Sequence, residues 1–173
     1  TQNWMPRDGL DIFVRSTCPV GTTSGFNLAT SIHSYHHFPE FFTEKWFMLE
    51  ARTRPLYVLG LSERHTVPFI EFEHFLLSHL PGTRVIEMQT KESELAKLAL
   101  NAFMATKVTF FNEINELAEA HCLDFDNVIE GMLQDGRIGK SHYHVPGWDG
   151  KYGYGGSCFP KDMAQLIQCF DSA

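Results

Sequence analysis

The chain has 173 residues, 43% hydrophobic and 20% charged, enough for one domain or two small ones with a real core and unlike a disordered chain. Its formal charge of −7, with no Lys/Arg cluster longer than two residues, argues against a nucleic-acid or anionic-membrane surface. No apolar run approaches the roughly 18 residues of a membrane span, and the first residues lack a charged-then-apolar signal segment, so a cytoplasmic protein is expected.

In chain order, short apolar runs at 11–15, 32–38, 55–61 and 83–88 alternate with helix-like segments, notably 63–80. This βαβ rhythm predicts a mostly parallel sheet with covering helices. Of His33, His36 and His37 in the second run, alternation puts His33 and His37 on one face without a carboxylate in register, so a strand-surface role is expected for the three rather than a metal site. Glu40 and Glu44 lie four apart in PEFFTE (39–44), directly after that run. Such a pair suits acid/base chemistry or a solvated first helical turn. The aromatic cluster at 68–80 has helical spacing and reads as core.

From Ser93 onward strand signals vanish. Residues 92–121 contain no Gly or Pro and are rich in Ala, Leu, Glu and Lys, which predicts one helix. Its length would be roughly 45 Å. The half from Leu95 to Phe111 is apolar nearly all round, so it must be covered on several sides, plausibly by a second copy of the chain. Lys97 and Asn101 share a face of this helix. A lysine among Leu95, Leu98 and Ala99 would be partly desolvated and suited to proton transfer or to holding an oxyanion; the alternative is a snorkelling lysine paired with Glu94 or Glu113. A second helix is expected at 125–134, a glycine-rich loop at 135–157, and a last helix from about Pro160.

The four cysteines, Cys18, Cys122, Cys158 and Cys169, are widely spaced without a CxxC and read as free thiols, each by default a small core residue. Cys158 differs in setting. Gly153, Gly155 and Gly156 allow close approach of backbone N–H groups to a ligand, and Pro160 suits a first helical turn. Cys158 would then precede a helix N-terminus, where the macrodipole and Lys161 favour the thiolate, the nucleophilic form. Asp162 would be a dipole partner or a catalytic carboxylate. The G-x-G-x-x-C pattern follows no strand and is not read as a dinucleotide phosphate loop.

VRSTCPVGT (14–22), PEFFTE (39–44), ELAKLALNAFMATKVTFFNEINELAE (94–119), DGRIG (135–139) and GYGGSCFPKD (153–162), in this order, resemble the UDP-glucose/GDP-mannose dehydrogenase family. The resemblance implies a partial Rossmann-like parallel sheet in residues 1–91, the end of an NAD-binding domain. Residues 92–173 would be a central helical dimerisation and catalytic domain of the 6-phosphogluconate-dehydrogenase-like kind. The implied activity is a two-step, NAD-dependent oxidation of a nucleotide sugar's C6 alcohol to the acid through a cysteine thioester.

By position, Cys158 matches the family's nucleophile, and Lys97 matches the lysine that helps deprotonate the alcohol and stabilises oxyanions. Asn101 and Asp162 match its partners. Glu40 matches the carboxylate implicated in thioester hydrolysis, with Thr17 helping to hold the water. Ser16, Thr17, Glu44 and Lys161 match positions near cofactor or substrate. Arg137 matches an arginine that reaches the sugar nucleotide across a homodimer formed through helix 92–121. Tyr154, Gly155 and Gly156, with Lys97 and Asn101, would meet the substrate.

The family's G-x-G-x-x-G half and its C-terminal domain are not in this sequence, so a central portion or an abbreviated relative is expected, and NAD binding by this chain alone is not. The loop at 140–153 is about five residues longer than in many relatives. Two other readings stay open. One is a nucleotide-sugar-binding dimer without redox turnover; the other is a cysteine acyl-transfer enzyme with His142 or His144 as base.

Overall fold

In a computed structural model, residues 9–30, 32–41, 56–63, 67–80 and 82–171 are described. They divide into two compact units: one is residues 1–98 with 168–173, the other 99–167. Among the described residues no helix is long and apolar enough to cross a membrane.

The first unit is built on a four-stranded sheet in the order β1 (Asp11–Val14), β2 (Ser34–His37), β3 (Leu56–Leu61), β4 (Arg84–Gln89). β1 runs parallel to β2, and β3 to β4, as the alternation of strand and helix signals leads one to expect. The two pairs meet through a single antiparallel register, His37 opposite Gly60, so the sheet is mixed. That short join leaves the Tyr35 backbone without a ladder partner on its β3 side. The Asn27 side chain takes that place, donating to Tyr35 O and accepting from Tyr35 N–H, both at 2.8 Å.

Asn27 belongs to α1 (Thr22–Ala29), a helix that propensity and periodicity do not reveal. It is eight residues long, contains Gly25, and its N-cap Gly21 supplies no side-chain cap. α2 (Val67–His79) covers the other face of the sheet. There Phe38, Tyr57, Leu59 and Leu76 form a buried core with Phe13, Phe72, Leu80 and Val85 around it.

Because helices cover both faces of β2, residues of either parity are buried. This corrects the strand-surface reading of the histidines: His36 and His37 are both fully buried. His36 Nε2 meets Asp11 Oδ1 at 2.9 Å on the α2 side, while His37 Nδ1 meets Ser93 Oγ at 2.9 Å on the other. Burial pushes the His37 imidazole below its ordinary range, so it is neutral at pH 7.

α3 (Thr90–Ala120) starts directly after β4 and belongs to both units. Its head passes so close to β3 that Gly60 is the only residue type that fits opposite Ser93 and Thr90. In the second unit α3 buries Ala102, Ala105, Phe111 and Ala118. α4 (Phe125–Leu133) follows, capped by Asp124, whose Oδ1 accepts from Asp126 N–H at 2.9 Å. The loop at 134–158 leads to α5 (Phe159–Asp171).

Candidate active site

Proline at the second position of α5 fits the first helical turn, whose N–H groups need no partner within the helix. Asp162 N–H donates to Cys158 O at 2.9 Å, the first intrahelical bond, so Cys158 is the N-cap of α5. Its side chain is exposed, with Ser157 Oγ at 3.6 Å from Sγ. Asp162, in the first turn, is 1% exposed. Asn101 Nδ2 donates to Asp162 Oδ2 at 2.5 Å, and the Lys161 ammonium pairs with its other oxygen. The structure thus joins Asn101, Asp162, Lys161 and Cys158 within one unit. Hydrogen bonding satisfies a carboxylate that burial would otherwise penalise.

Lys97 lies one turn before Asn101 on α3 and is 8% exposed, so it is buried rather than extended into solvent. Its Nζ is 5.3 Å from the centre of the Phe41 ring. Glu40 follows β2 outside any helix, exposed, and pairs with Arg15 at 2.9 Å. Ser16 is exposed and Thr17 half-buried on the turn between β1 and α1. Glu44 lies outside the described residues. Arg137 is exposed and held by Asp135, whose carboxyl it keeps below the usual range. Tyr154, Gly155 and Gly156 are exposed. The His142 ring stands 5.7 Å from that of Phe159, next to Cys158, and burial and the Lys107 charge lower its pKa. Among the described residues, no histidine is hydrogen-bonded to the Cys158 thiol, as the acyl-transfer reading requires.

Three polar residues that sequence reasoning left in minor roles do structural work here. Glu94 is fully buried. Its carboxylate accepts from the N–H groups of Gly21 at 2.6 Å and Thr23 at 2.8 Å, capping α1 from another helix. Ser93 carries the bond to His37, and Asn112 accepts from Gly153 N–H at 2.9 Å. Removing the Glu94 acceptor strands two backbone donors, so Glu94→Ala is expected to lower unfolding free energy by about 2–4 kcal/mol in urea titration. A loss below about 0.5 kcal/mol would mean that water replaces the cap.

Glu94 also faces Cys18, 3.7 Å from Sγ to Oε1. Burial first, and the Glu94 charge second, push the Cys18 thiol up to about 11. Cys18 should therefore resist iodoacetamide at pH 8 while Cys158 and Cys122 react; peptide mass spectrometry reads the difference. The unfolded chain deprotonates near 9.0, the ordinary thiol value, before the folded chain does. Stability from this group is complete below that pH and is lost as pH rises towards 11, a fall absent from Cys18→Ala.

The sequence model of the UDP-glucose/GDP-mannose dehydrogenase family, central domain, matches residues 91–173. A UDP-glucose 6-dehydrogenase of Bacillus subtilis is 35% identical over 164 residues, which are 91% of this chain and 35% of that protein. Residues 91–173 are a central domain of the UDP-glucose/GDP-mannose dehydrogenase family. A UDP-glucose 6-dehydrogenase of Campylobacter jejuni is 30% identical over 93% of this chain and 39% of its own length. The UDP-glucose dehydrogenase of Pyrobaculum islandicum superposes with a TM-score of 0.79 at 28% identity, over 95% of this chain and 38% of that one. A GDP-mannose dehydrogenase of Pseudomonas aeruginosa gives 0.66 at 25% identity, over 95% and 38%. The chain thus spans 35–39% of the length of these two curated relatives.

UDP-glucose/GDP-mannose dehydrogenases of this kind are oxidoreductases, and the described residues bear on how much of a dinucleotide site this chain carries. A helix N-terminus such as that of α1, after β1, can seat a phosphate. Here the Glu94 carboxylate already holds it, so the residues present do not form that seat.

Proposed function

We propose that this chain is the nucleophile-carrying portion of a nucleotide-sugar 6-dehydrogenase of the UDP-glucose or GDP-mannose type. In this reading residues 1–91 end the NAD-binding domain and residues 92–173 form the central domain. The observation that carries it is the Asn101–Asp162 pair in the first turn after an exposed cysteine at the N-cap of α5, inside the residues that the family model matches.

NAD would accept hydride in this reaction, and Ser16, Thr17, Glu44 and Lys161 would stand near the cofactor or the substrate. The chain's own contribution is covalent and acid–base. The Cys158 thiolate adds to the C6 aldehyde carbon, and once that carbon is oxidised the sulfur holds it as a thioester, an acyl group that water can attack. The N–H groups of the first turn of α5 present positive potential to charge developing there. Asn101 and Asp162 orient each other, and Lys97, one helical turn away on α3, takes up the alcohol's proton and balances the oxyanion. Glu40 and Thr17 serve the hydrolytic water.

Arg137, Tyr154, Gly155 and Gly156 meet the sugar nucleotide. The apolar residues Phe103, Phe110 and Leu117, seven apart and exposed on α3, supply the seam of a homodimer. Free thiols of this kind stay reduced in the cytoplasm, where we place the reaction. The test is alkylation of Cys158 with and without UDP-glucose or GDP-mannose, with exposed Cys122 as reference. Selective protection of Cys158 is expected; protection by neither sugar sinks the reading.

A further inference from the structure

α3 grips the Cys158 segment on both sides. Beyond the cysteine, Asp162 receives the Asn101 amide; before it, Gly153 donates its N–H to Asn112 Oδ1 at 2.9 Å. We infer that Asn112 is a positioning residue whose hold on Gly153 fixes where the Cys158 thiol stands. The inference rests on the reading of Cys158 as the nucleophile.

The hold is directional. Asn112 is 9% exposed, and its Nδ2 donates to Val108 O at 2.8 Å, so its oxygen must face Gly153; turned over, the amide would oppose donor to donor. Gly153 itself sits at φ 75, left-handed backbone that a side chain would strain. The long loop before it is anchored separately. Lys107 Nζ donates to Ile138 O and Gly139 O at 3.0 and 2.8 Å, and Tyr143 rests on the Phe111 ring. A tight turn closes within the loop, Gly147 N–H to Lys151 O at 2.8 Å.

The Asn112 bond therefore keeps the slack of this loop from reaching the cysteine. Without it, the tether to Asp162 would run from the Tyr143 contact with Phe111 rather than from Gly153. Loop-closure entropy makes that lengthening worth about a threefold drop in the thiol's occupancy of its place.

The experiment compares wild type, Asn112→Ala and Asn112→Asp in two measurements: hydrogen exchange of the amides of residues 153–158, and the UDP-glucose concentration that half-protects Cys158 from iodoacetamide. In Asn112→Ala both are expected to move about threefold, exchange faster and half-protection higher. Asn112→Asp keeps an acceptor for Gly153 N–H but sets an oxygen against Val108 O where the amide donated, so it is expected to fall between wild type and alanine. A purely structural role would not be rescued in this way. Hydrogen exchange of the α3 amides from Ala102 to Ala118 reports loss of the fold; if Asn112→Ala shows it, Asn112→Ser is measured instead. Wild-type exchange in the alanine variant overturns the inference, as does an aspartate variant that behaves like alanine. Absence of any protection in wild type counts against the nucleophile reading, and exchange then decides the hold of Asn112 by itself.

Discussion

Gly60→Ala should destabilise the first unit by about 2–3 kcal/mol, and Gly60→Val should prevent its folding. A Cβ at this position would lie 2.7 Å from Ser93 Cβ, 3.0 Å from Thr90 Cα and 3.2 Å from His37 Cβ. One of these is main chain at the start of a 31-residue helix, and the other two carry the buried His37–Ser93 bond. Relief by a simple side-chain rotation is therefore closed, and the head of α3 must lift from β3. Lifting it would stretch that bond and loosen the Glu94 cap on α1 one residue further along. Urea unfolding of the alanine variant measures the cost. A change below about 0.5 kcal/mol would show that α3 slides freely over the sheet.

Cys158→Ser should lower acid formation from UDP-glucose by about a thousandfold or more in a preparation that carries out the oxidation. A serine hydroxyl in the same place is almost wholly protonated at neutral pH and adds poorly to the aldehyde, so the carbon loses its route to an acyl stage. The stoichiometry is the sharper readout. Alcohol to acid releases two hydrides per sugar, and alcohol to aldehyde releases one, so reduced cofactor per sugar consumed should fall from near two towards one. A serine variant that keeps the full yield at an undiminished rate would remove the thioester from the proposal. The same substitution should leave urea stability within about 0.5 kcal/mol, because the thiol is exposed and its structural role resides in its carbonyl.

How far the sequence reveals these features depends on whether their causes are local. The long helix follows from an uninterrupted run without Gly or Pro, and the setting of Cys158 from glycines before it and Pro160 after it. The cap of α1 has no such local cause. Glu94 reaches Gly21 and Thr23 across separations of 73 and 71 residues, and α1 lacks a capping side chain of its own. The helix and its cap were thus hidden together, since the signal that should announce α1 is written in another helix. His36 and His37 misled for a related reason: alternation assumes one wet face, and β2 has none. Asn112 sits in a polar stretch of α3 where only the position of Gly153 gives it meaning.

The sharing of α3 bears on how segments of this family can be exchanged. The border between the compact units falls between Leu98 and Ala99, inside the helix rather than in a linker. A chimera joined at that border would splice two half-helices whose buried faces come from different parents. The shortest segment that could pass between relatives as an intact module is therefore the sheet or the helical unit together with the whole of residues 90–120.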